Sequence, residues 1–81
     1  MVSMCAVAAV QMVLRDYSAE TIVEAMAEAL EQRANRKIKE ASKLTEADER
    51  AALDEEATID RRHAKACKQF AIRLNELEYQ R

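Results

Sequence analysis

From Met1 to Leu14 the chain is apolar at every position except Ser3 and Gln11, with no polar face at helical period. Such a pattern predicts a helix over about 2–15 that is buried on several sides. Its fourteen residues rise only about 21 Å as a helix against a hydrocarbon core of about 30 Å, and Arg15-Asp16 ends the run. A membrane-interface anchor would carry a basic polar face, which this segment lacks, so no membrane partner is expected.

Asp16-Tyr17-Ser18 breaks the pattern, and Asp16 or Ser18 can cap a second helix over about 18–43, with Glu20 meeting its positive dipole end. The apolar stripe of that helix runs Val23, Ala27, Leu30, Ala34, Ile38, Ala41 in steps of three and four, with Met26 widening it. A second break follows at Leu44-Thr45, where Thr45 is the expected N-cap and Leu44 the start of a hydrophobic staple. A third helix is then expected over about 46–79, with a stripe of Ala52, Ile59, His63, Ala66, Cys67, Phe70, Leu74 and Leu77.

Composition sharpens this. The 81 residues contain no glycine and no proline, which removes turns needing positive φ, Gly-rich phosphate loops and dinucleotide fingerprints. The expected fold is all-α in a single domain over 1–81: a short apolar N-terminal helix followed by a long antiparallel α-hairpin.

Charge occurs in blocks, acidic from Glu20 to Glu31, basic from Arg33 to Lys43, acidic from Glu46 to Asp60 and basic from Arg61 to Lys68. Folding the chain at Leu44-Thr45, so that opposed residue numbers sum to about 89, sets every block against its opposite and places Leu30 by Ile59, Val23 by Ala66, and Ile38 by Ala51 and Ala52. In that register the third helix overhangs the start of the second, leaving Phe70, Leu74, Leu77 and Tyr79 uncovered. The overhang and the all-round apolar first helix together predict a homodimeric helical bundle whose interface is built from Met4, Val7, Val10, Leu14, Phe70, Leu74 and Leu77.

Candidate chemistry is sparse. Glu56, Asp60, His63 and Cys67 are spaced four, three and four, on one side of a helix, and Asp60-x-x-His63 is a carboxylate analogue of the Glu-x-x-His unit of di-iron bundles. Asp60, His63 and Cys67 are therefore the candidate metal ligands, although two or three ligands from one chain do not complete a site. The ordinary alternative pairs His63 with Asp60 and leaves Cys67 as a small core residue. Cys67 beside His63 is also a thiol–imidazole pair, but a glycine-free hairpin offers no oxyanion loop, so no enzyme activity and no cofactor are expected. The net charge of −2, and acidic blocks opposite the runs Arg33 to Lys39 and Arg61 to Lys68, argue against nucleic acid as a partner. Met1, Met4, Met12 and Met26 suit a core or an adaptable groove. Two cysteines and no basic secretory n-region suggest reduced thiols in the cytoplasm. The reading reached is a small non-enzymatic protein–protein interaction module, an adaptor, regulator or inhibitor of a larger protein, acting as a homodimer. Its alternative is a metal-binding, ferritin-like bundle using Asp60, His63 and Cys67.

Overall fold

Short polar signals set where helices begin. The Ser3 hydroxyl accepts hydrogen bonds from the Cys5 and Ala6 amides, at 3.2 and 3.4 Å, and the Ser18 hydroxyl accepts from the Thr21 amide at 3.2 Å. Each supplies an acceptor to the donor-rich first turn of a helix. The computed structural model describes residues 2–79, with side chains through Leu77. Met1 and the Tyr79 side chain, both invoked above, lie outside that description. The elements are α1 (Met4–Asp16), α2 (Ala19–Ala41) and α3 (Ala47–Tyr79), with no strand among the described residues.

The turn between α2 and α3 is built without glycine. Ser42 keeps right-handed helical backbone and its hydroxyl donates to the Lys39 carbonyl at 2.6 Å, while the Lys43 and Leu44 amides donate back to Glu40 and Ala41. The Arg50 amide donates to the Glu46 carbonyl at 3.1 Å, the first bond of α3, so the cap position is Glu46 and not Thr45. The Arg50 guanidinium also donates to the Leu44 carbonyl and ties the turn down.

α2 packs along α3 as an antiparallel hairpin, and α1 touches only α2. Among the described residues the buried apolar side chains are all alanines: Ala27, Ala34 and Ala41 on α2, Ala57, Ala64 and Ala71 on α3. Within each helix they recur every seven residues, the period of a coiled-coil seam. Between them lie the half-buried Val23, Leu30, Lys37 and Leu44 of α2 and its turn, and Leu53, Cys67 and Leu74 of α3, with the buried Asp60 completing the α3 series. The stripe expected on α2 is thus the one turned inward, except that Met26, expected to widen it, is exposed. On α3 it is not: Ala52, Ile59, His63, Ala66, Phe70 and Leu77 are exposed, and only Cys67 and Leu74 belong to the seam. Methyl side chains line the contact because they allow two backbones to approach at the short end of the roughly 8–10 Å range of helix spacings.

The register also differs from the one expected. Paired residue numbers sum to 93 for Arg33 with Asp60 and Lys37 with Glu56, 96 for Asn35 with Arg61, 97 for Lys37 with Asp60 and 99 for Glu31 with Lys68. They centre near 96 rather than 89, a slip of one heptad. The cause lies in the turn, whose residues carry the chain past the end of α2 before α3 starts, so that Ile38 and Ala41 lie beside Arg50 and Asp54. In the observed register Ala27 falls level with Ala71, Ala34 with Ala64 and Ala41 with Ala57. Val23 then falls level with Leu74, Leu30 with Cys67, and Lys37 with Asp60.

The expected overhang of α3 is consequently absent. Glu20 and Glu24 of α2 lie beside Ile72, Asn75 and Glu76 of α3, so the two helices end nearly level. Phe70 and Leu77 are exposed because they point away from α2, not because they run beyond it.

Candidate functional site

Two features stand out from the alanine seam, one polar and buried, one apolar and exposed. The polar feature is Asp60, 3% exposed in the middle of the hairpin. Arg33 grips it with two parallel bonds, Nε to Oδ2 at 3.0 Å and Nη2 to Oδ1 at 2.7 Å, and the Lys37 ammonium lies 3.1 Å from Oδ2. Bidentate guanidinium–carboxylate geometry is the strong form of this interaction. The Arg33 guanidinium, helped by Lys37, holds the Asp60 carboxyl at about 2, well below the usual carboxylate range, against burial acting the other way. Glu56 sits 3.6 Å from Lys37 on the same side. On the opposite side Lys68 pairs with Glu31, which holds the ammonium above its usual range, and Arg61 donates to Asn35 at 3.3 Å.

These contacts place the candidate ligands. Asp60 faces α2 with both carboxylate oxygens engaged by cations, Cys67 is half-buried in the seam, and His63 is exposed. The helix that carries all three does not bring them together, and among the described residues no group of three or more His, Cys, Asp or Glu side chains is placed to hold a metal ion. His63 makes no pair with Asp60, whose partners come from α2. Of the two basic runs, Arg33, Lys37 and Lys68 are engaged with carboxylates across the hairpin.

The apolar feature is larger. In α1 no side chain is buried, and Met4 is 83% exposed. Val7, Val10 and Leu14 are likewise open, as are Phe70 (54%) and Leu77 (62%) on α3, whereas Leu74 is half-buried in the seam. Where α1 leaves α2, Val13, Tyr17, Thr21, Ile22, Ala25, Met26 and Ala29 line an apolar groove of about 500 Å³.

This groove continues onto one lateral face of the hairpin. Ile22, Met26 and Ala29 precede Arg33 by eleven, seven and four residues, so they share the side from which Arg33 reaches Asp60. His63, Phe70 and Leu77 follow Glu56 by one, two and three heptads, so they share the side from which Glu56 meets Lys37. Both sides are the same face of the hairpin. The other lateral face carries Glu20, Glu24, Lys68 and Glu76 around Ile72. The second α2 stripe, Ile22-Met26-Ala29, was legible in its spacing of four and three but is overshadowed in the sequence by the adjoining Val23-Ala27-Leu30 stripe.

Comparison of the chain with protein-family models, with characterised proteins and with solved structures finds no match. No helix among the described residues is long and apolar enough to cross a membrane.

Proposed function

We propose that this chain is a small interaction module without catalytic activity, working in the cytoplasm as a helical homodimer and acting as an adaptor, regulator or inhibitor of a larger protein. The observation that carries this reading is the inverted placement of its apolar residues, with alanines inside and Met4, Val7, Val10, Leu14, Phe70 and Leu77 outside. A compact monomer of 9.2 kDa exposes about 4,900 Å². This chain exposes 6813 Å² and has a radius of gyration of 16.0 Å, where about 12 Å is usual for its length. The excess, roughly 1,900 Å², exceeds the ~800 Å² that each partner contributes to a standard interface. Surplus surface that displays large apolar side chains is what an interaction site needs.

The test is light scattering coupled to size exclusion at micromolar concentration. A mass near twice 9.2 kDa is expected. A monomer across the micromolar range overturns the self-association on which the reading depends.

A further inference from the structure

From Met4 to Leu14 α1 carries no charged residue and a single polar one, Gln11. Its own chain covers little of it. The extended residues Tyr17 and Ser18 lead α1 off the side of α2, where Val13 and Tyr17 line the elbow groove, and α1 makes no packing with α3. Met4, Val7, Val10 and Leu14 remain open on the rest of the helix surface.

We propose that α1 of one copy lies lengthwise on the apolar lateral face of a second copy's hairpin, over Ile22, Met26, Phe70 and Leu77, and that the second copy's α1 does the same in return. This rests on the self-association proposed above and specifies its architecture. Three observations favour it. The 13 residues of α1 span about 20 Å, and the stretch of α3 from Ala66 to Leu77 spans about 17 Å, so helix and face match in length. The face carries one charge, Arg73 between Phe70 and Leu77, whose long stem lets its guanidinium reach water at the rim, whereas the other lateral face, with Glu20, Glu24, Lys68 and Glu76, would strand several ions under a docked helix. The face is also bounded: the Arg33–Lys37–Asp60–Glu56 cluster closes one end and gives the docked helix a polar stop. Reciprocal docking is the self-complementary arrangement a two-fold dimer requires.

The chain has a single phenylalanine, which makes the experiment direct. Isotopically labelled and unlabelled full-length copies are mixed, and filtered nuclear Overhauser effects are sought between the Phe70 ring of one copy and the α1 methyls of the other. Cross-peaks to Val7, Val10 or Leu14 are expected. A dimer in which α1 contacts only the partner's α1, or neither, overturns the exchange while leaving self-association standing. A monomer by light scattering overturns both, whether its α1 then binds lipid vesicles or another protein. In parallel, Phe70→Asp is expected to weaken dimerisation by about 30-fold or more, the scale of an interface hot spot, with helicity retained. Ile72→Asp, on the other lateral face, is expected to leave dimerisation unchanged. Wild-type dimerisation by Phe70→Asp would sink the proposal.

Discussion

The seam between α2 and α3 and the face that carries Phe70 are built from the same two helices, about a quarter-turn apart, and they use apolar side chains in opposite ways. The seam buries methyl groups at heptad spacing and admits an ion pair at its centre; the face displays Met26, Phe70 and Leu77 to solvent. Small side chains let two helices come close but remove little apolar area from water, at about 25 cal/mol per Å². Large ones offer more area per residue yet contribute only once something covers them. The hairpin therefore packs through its smallest apolar side chains and an ionic layer, and leaves its largest apolar side chains exposed.

Breaking the ionic layer tests the first half of this contrast most severely. Asp60→Ala leaves Lys37 on the seam without its buried counter-charge and is expected to give the largest fall in melting temperature of any substitution described here, followed by circular dichroism at 222 nm. The double replacement Lys37→Leu with Asp60→Leu is expected to melt at or above the wild-type temperature, because a well-packed apolar pair substitutes for a buried ionic one at little or no loss. Its amide spectrum should nevertheless show more than one set of signals. The alanine series repeats every seven residues, so a one-heptad slip still sets alanine against alanine, and in the wild type that slip would leave Asp60 near Leu30 and Lys37 near Leu53. A single set of signals in the double variant would mean that the ion pair does not select the register.

Adding volume separates seam from face more gently. Ala64→Leu forces the helices apart and should cost about 1–3 kcal/mol in urea unfolding, whereas Thr58→Leu, solvent-facing on the other lateral side of α3, should stay within about 0.5 kcal/mol of wild type. Equal effects at the two sites would erase the distinction between them.

The smallest expected effect is on pH dependence. The folded Asp60 carboxyl titrates near 2, below the ordinary value of about 3.9, so its contribution is complete above about pH 4 and is lost as pH falls toward 2. Melting temperatures measured from pH 5 to 2 should fall more steeply for wild type than for Asp60→Asn. Parallel curves would show that the Arg33 and Lys37 contacts do not favour the charged form in solution.

The α2 half of this arrangement is legible in the sequence. On α2 the stripe from Val23 to Ala41 is both the most apolar and the buried one. On α3 the rule of following the largest apolar residues picks Ile59, Phe70 and Leu77, which are exposed, over Ala57, Ala64 and Ala71, which are not. Hydrophobicity ranks phenylalanine above alanine, but helix spacing favours alanine, and sequence pattern alone does not weigh one against the other. Of the candidate ligand cluster, Asp60 takes its partners Arg33 and Lys37 from across the hairpin, beyond the reach of spacing along one helix.

By itself the sequence determined the local structure of this protein: helices throughout, since neither glycine nor proline interrupts them, with breaks at Tyr17-Ser18 and after Ala41 and a heptad-spaced alanine line on each arm. Only the tertiary structure decided which of two stripes on α3 became the seam and in which register the arms met. Capping and periodicity are local and are unchanged by a slip of seven residues. The pairing of Arg33 and Lys37 with Asp60 is not, because a buried carboxylate is stable only where cations on the facing helix arrive level with it.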